Sequence, residues 1–96
     1  MARGEMLTVF SYDVSSSKRR RRVARMLEAE ATRVQYSVFE TRMTRRQCAA
    51  LCQRTAAMLG EGDSLRVYVI GHDGERRSRV FGDALPFETA EGYWLV

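Results

Sequence analysis

An α+β sandwich, one antiparallel sheet with two helices on a single face and a further strand at the C-terminus, is the fold class this sequence predicts. Two periodicities and one capping signal carry the prediction. Runs of β-branched and aromatic residues recur at 6–12, 33–41 and 64–70, and apolar residues recur at helical spacing in the two stretches between them. Thr44 followed three residues later by Gln47 is the S/T-x-x-E/Q signature of a helix start.

Each element follows from its residues. "MLTVFSY", 6–12, reads as a first strand. The serines at 15–17 supply a loop and N-cap candidates. A helix over 18–31 follows, with Val23, Ala24, Met26, Leu27 and Ala31 on one face and Lys18, Arg22 and Arg25 opposite. Arg20 projects to the apolar side only at the N-terminal end, overhanging the end of the first strand close to Asp13. "RVQYSVFET", 33–41, reads as one second strand. The second helix buries Cys48, Leu51, Cys52, Thr55, Met58 and Leu59, with Gly60 as its C′ stop. "SLRVYVI", 64–70, is a third strand, "GHDGE", 71–75, a turn, "RSRVFG", 77–82, a short fourth strand, and "YWLV", 93–96, a strand-like tail. This order predicts one ferredoxin-like domain over residues 1–96. Tyr12, Tyr36, Phe39 and Tyr68 are too many aromatics for bare surface, so a second sheet from another copy is expected to cover the free face.

Composition narrows the function. The chain has 96 residues and a net charge of +4. The charge is uneven: residues 1–60 carry 12 Lys/Arg against 5 Asp/Glu, and residues 61–96 carry 4 against 7. A cationic half suits a phosphate-rich partner, although an ordinary charge run is more often a solvated face. A domain this short is thin on core, which keeps oligomerisation open. No apolar run reaches the ~20 residues that span a bilayer, and the N-terminus has no secretion-signal pattern, so a cytoplasmic protein is expected. Cys48 and Cys52 read as core packing rather than a zinc pair, there being no nearby histidine. His72, the one histidine, reads as a surface turn residue.

One motif stands out. Asp13 closes the first strand, and six cations crowd the eight residues from Lys18 to Arg25: Lys18, Arg19, Arg20, Arg21, Arg22 and Arg25. A carboxylate at a strand end is a hard oxygen ligand suited to Mg2+; it also serves as a loop cap, and on the chemistry alone the cap is the better reading. Cations at a helix N-terminus oppose the helix dipole, so a compensating partner is expected. Phosphate fits the arginine fork, and Arg33, Arg42, Arg45 and Arg46 extend the same surface. No Ser-His-Asp arrangement or nucleotide fingerprint is present.

"FSYDVSSSKRRRRVARMLE", then "TRVQYSVFE", then "DSLRVYVI" resembles the CRISPR-associated protein 2 family in order and spacing from about Met6 to Ile70; residues 71–92 match loosely. The resemblance implies a ferredoxin-like homodimer packed sheet to sheet, with the tail joining the partner's sheet. It implies nucleic acid and the CRISPR integrase as partners, and a role in spacer acquisition. It also implies Mg2+-dependent endonuclease activity on RNA or DNA, with Asp13 as metal ligand and Tyr12, Arg20, Arg22, Arg33 and Phe39 as further site residues. A non-catalytic scaffold holding duplex DNA for the integrase is the competing reading. On the resemblance, Asp13 becomes a metal ligand rather than a cap.

Overall fold

The structure is a computed structural model that describes residues 4–83 and the backbone of 88–89 and 92–93. Along the chain run β1 (Met6–Asp13), α1 (Ser17–Glu28), β2 (Thr32–Gln35), β3 (Val38–Met43), α2 (Arg45–Ala56), β4 (Ser64–Ile70) and α3 (His72–Arg77), then the two-residue strands β5 (Glu88–Thr89) and β6 (Gly92–Tyr93). β1 to β4 form one antiparallel sheet in the order β2-β3-β1-β4. This βαββαβ order and sheet are the ferredoxin-like arrangement expected.

The register of the sheet decides what lies on each face. Phe10 is opposite Phe39 on one side and Val67 on the other. With Tyr12, Val14 and Met43 they meet Val23, Ala24 and Leu27 of α1 and Leu51 of α2, so both helices cover this face. Leu7, one position out of phase, faces the other way, in a row with Arg42 and Ile70. Here α3 lies over the second face: Glu75 is ion-paired with Arg42, and Gly74 lies against Ile70 so closely that a Cβ would come within 3.3 Å of its Cγ2. Leu7 is fully buried beneath. Beyond α3 the same face continues through Tyr68, about half exposed, to Asp13.

Several expectations need correction. Residues 33–41 are not one strand but a hairpin, with a turn at Tyr36–Ser37 and a register shift between Arg33 and Gln35. The turn is held by the neighbouring strand: Tyr12 N–H donates to Ser37 O at 3.1 Å and Tyr12 Oη to Tyr36 O at 3.3 Å. Residues 72–77 form a helix where a turn was expected, and 78–83 form no strand. α1 ends at Glu28 rather than 31. Gly60 is not a left-handed helix stop; the glycine with positive φ in this turn is Gly62, at 82°. Gly60 is small for another reason: a Cβ there would lie 2.7 Å from Arg19 Cζ. Tyr12 and Phe39 belong to the helix-covered core, so of the four aromatics only Tyr68 lies on the open face. The strand expected at 93–96 lies outside the described residues, apart from the backbone of Tyr93 in β6.

The expected helix signals are present. Thr44 Oγ1 accepts from Gln47 N–H, and Gln47 Oε1 accepts from Thr44 N–H, closing the capping box of α2. Replacing Thr44 with Ala should cost about 1 kcal/mol. A urea titration should show this as a lower midpoint with unchanged slope.

Candidate nucleic-acid and metal site

β1 ends at Asp13, whose carboxylate is exposed and has no ion pair or side-chain hydrogen bond among the described residues. Val14 is buried in the core just beyond it. That anchor and the register partner Ser64 hold the strand end in place. Ser16 then caps α1, accepting from Arg19 N–H at 3.2 Å. The carboxylate therefore sits at the mouth of the loop that leads into the cationic helix.

The cationic run divides into two groups. Arg19 is held inside the fold: its Nε lies 2.7 Å and its Nη2 3.3 Å from the Asp63 carboxylate. Asp63 also accepts from the N–H groups of Gly60, at 2.8 Å, and Ser15, at 3.2 Å. The Arg19 guanidinium, aided by these backbone donors, holds the Asp63 carboxyl well below the usual carboxylate range. Arg20 turns back over the loop, donating to Val14 O at 2.9 Å, Ser15 O at 3.3 Å and Ser17 Oγ at 3.1 Å. It overhangs the residue next to Asp13, as its sequence position implies. The compensating partner expected for these two arginines is internal.

Lys18, Arg21, Arg22 and Arg25 form the second group. All are exposed and carry no ion pair among the described residues. Their spacing, i, i+3, i+4 and i+7, puts them in one stripe on the solvent side of α1, opposite buried Leu27. Four unneutralised cations in a row match the spacing problem of a phosphate backbone better than a compact anion.

The remaining expected residues are elsewhere. Phe39 is fully buried, with the Tyr12 ring stacked at 6.2 Å and the Arg33 guanidinium 5.2 Å from its centroid on the β2 side. Arg33 also pairs with Glu28 at 3.3 Å. Tyr12 and Phe39 thus support the strand end from inside, and Arg33 is half exposed at its margin. Arg42 is paired under α3 on the second face. Arg45 and Arg46 are exposed at the start of α2. Cys48 and Cys52 are free thiols 3.8 Å apart, and burial together with the neighbouring Cys48 pushes the Cys52 thiol up to about 11. His72 is exposed on α3, not in a turn. Asp63, the residue that organises the loop, was not visible in the sequence: its partner lies 44 residues away, and an acid in "GEGD" has no distinguishing context.

Asp13 suits a hard divalent cation by its chemistry, an exposed carboxylate free of ion pairs among the described residues. No group of three His, Cys, Asp or Glu side chains capable of holding a metal occurs among the described residues. No helix among them is long and apolar enough to cross a membrane.

The family model described as CRISPR associated protein Cas2 matches residues 6–78. This chain belongs to that family. A relative from Thermus thermophilus, named a CRISPR-associated endoribonuclease Cas2, is 39% identical over 85 residues, covering 76% of this chain and 90% of its own. The crystal structure of Streptococcus pyogenes Cas2 superposes with a TM-score of 0.67 at 32% identity, covering 80% of this chain and 100% of that one. A chain of a solved partial Cas6-RT-Cas1–Cas2 complex superposes with a TM-score of 0.67 at 26% identity, covering 78% and 83%. The matched span runs from β1 into the residue after α3 and includes Asp13, the cationic stripe and the Asp63 latch.

The latch has a pH signature. The folded state holds Asp63 ionised below its ordinary range, so its contribution to stability is complete above the unfolded value of about 3.9 and declines as pH falls below it. Wild type should exceed Asp63→Asn in stability by a constant margin near neutral pH. The margin should shrink as the pH is lowered from about 4 towards 2 in denaturant titrations. A margin independent of pH would show that the charge of Asp63 contributes nothing.

Proposed function

We propose that this protein is a CRISPR spacer-acquisition protein that cleaves phosphodiester bonds in RNA, or in DNA, with Mg2+ at Asp13, working as a homodimer beside the CRISPR integrase. Residues 1–96 act as one ferredoxin-like domain in the cytoplasm. The observation that carries the reading is the placement of Asp13. It is an exposed carboxylate without an ion pair among the described residues, at the end of a central strand, one loop away from four exposed cations on α1. Family membership and the endoribonuclease name of the Thermus relative support it.

The division of labour follows from the side chains. Lys18, Arg21, Arg22 and Arg25 hold backbone phosphates by charge. Arg20 and the Arg19–Asp63 pair keep the loop after Asp13 rigid, so the carboxylate is presented without reorganisation. Bound at Asp13, Mg2+ would neutralise a phosphate oxygen and activate water. One carboxylate binds Mg2+ weakly, and a two-fold axis through the open sheet face would bring a second Asp13 to the first. The residues 93–96 of each copy, by adding to the partner's sheet edge, would secure that pairing.

A second reading is a non-catalytic scaffold that holds duplex DNA for the integrase. The cationic stripe favours it, because it needs no metal, and the Cas1–Cas2 complex that this fold resembles supports the same partner.

Asp13→Asn separates the two readings. Expected is loss of Mg2+-dependent cleavage of RNA and DNA, with the dimer retained in sedimentation and duplex binding within about two-fold of wild type, since surface changes away from structural features leave stability nearly unchanged. Full cleavage by the variant would exclude Asp13 as the metal ligand, and absence of cleavage by wild type would leave the scaffold. Arg22→Ala with Arg25→Ala should weaken binding to all sequences alike and reduce the log–log salt slope by about one for each phosphate no longer neutralised.

A further inference from the structure

Tyr36 is the most exposed large apolar side chain among the described residues, at 91%. It occupies the tip of the β2–β3 hairpin, where short turns ordinarily place glycine, asparagine or aspartate. The backbone there has no positive φ, so the turn does not demand a special residue. The ring touches no core cluster, and the hydrogen bonds that fix the turn use its carbonyl, not its side chain. The fold therefore does not need a tyrosine at this point, yet displays one.

Its location is defined. Tyr12 holds the turn through two hydrogen bonds, to Ser37 O and Tyr36 O, and Tyr12 is the residue before Asp13. The hairpin tip is thereby tied within one residue of the carboxylate-bearing strand end. Beside the ring, Arg33, Val34, Gln35 and Tyr36 line an open, shallow depression of about 390 Å³. Arg33 brings a positive charge to it; its ion pair among the described residues is with exposed Glu28, a contact weak enough for a phosphate to replace.

We propose that Tyr36 is a stacking platform for an unpaired base of a single-stranded nucleic acid whose backbone passes Asp13. An exposed aromatic ring gains by covering a π-face. Bases within a duplex have both faces already covered, whereas an unpaired base has a face to offer, whatever its identity. The charge of Arg33 at the depression and of the α1 stripe is of the sign such a strand requires. A base seated there would fix which internucleotide linkage lies against the carboxylate, so Tyr36 acts as a positioning residue. The inference rests on the proposed nucleic-acid function and adds to it a residue that seats one base of the bound strand.

The test measures fluorescence anisotropy of a labelled oligouridylate and of a long blunt RNA duplex, with wild type, Tyr36→Ala and Tyr36→Phe. A set of single strands carrying one abasic site at successive positions completes it. Expected is a roughly ten-fold loss of single-strand affinity in Tyr36→Ala, with duplex affinity unchanged and Tyr36→Phe close to wild type. One abasic position should weaken wild type by a similar factor and leave Tyr36→Ala unaffected, the signature of a direct pair. Equal single-strand affinity of Tyr36→Ala and wild type, or an equal loss on duplex, overturns the proposal. So does a change confined to self-association or to pull-down of the integrase, which would make the hairpin tip a protein contact. If wild type binds neither strand, the nucleic-acid reading falls and takes this one with it; if wild type binds both with normal salt dependence and Tyr36 is indifferent, only the stacking platform falls.

Discussion

The Asp63 carboxylate is the point on which the geometry near Asp13 depends. It is fully enclosed, and an enclosed carboxylate is tolerated only with compensating partners. It has three: the Arg19 guanidinium, the Gly60 N–H and the Ser15 N–H. These come from the first turn of α1, from the loop after β1 and from the turn after α2, so one side chain ties that last turn to a loop and helix start 44 to 48 residues away. A side chain at Gly60 would push aside the Arg19 guanidinium that makes this contact. The cost of crowding cations at a helix N-terminus is partly met within the same contact, since Arg19 is ion-paired there, while Arg20 donates to the loop carbonyls beside it.

The consequence for the surface is a sorting of charge by helix position. Arginines 19 and 20 point where the fold can use them, and Lys18, Arg21, Arg22 and Arg25 remain in solvent. A run of basic residues that looks uniform in sequence thus contains a structural part and an available part. The helical repeat assigns them, because residues three and four apart share a face while adjacent ones do not.

Much of the fold could be read directly. The first and third runs of β-branched residues became β1 and β4, the apolar faces of both helices matched the buried residues, and Thr44–Gln47 formed its box. The β2–β3 hairpin could not be read, because "RVQYSVFET" contains no glycine, proline or asparagine and its alternation continues through the turn. The turn depends on Tyr12, a tertiary partner no local pattern reveals. "GHDGERR" misleads for the opposite reason: two glycines suggest a turn, but Glu75 gains Arg42 by forming a helix across the sheet. At the site, Asp13 and the available arginines were visible as types, while the burial of Tyr12 and Phe39 and the role of Asp63 required three dimensions.

The strand order has a consequence for synthesis. β1 is translated before the other strands of its sheet but lies inside that sheet, between β3 and β4. Leu7 pairs with Ile70, so one whole edge of β1 has no hydrogen-bond partner until the chain has been translated through β4. A nascent chain that already contains both major helices still carries an unpaired apolar strand, the kind of edge that recruits chaperones or other nascent chains. Because that closure is so remote in sequence, the sheet closes only once β4 has been translated, not when β1 to β3 have emerged.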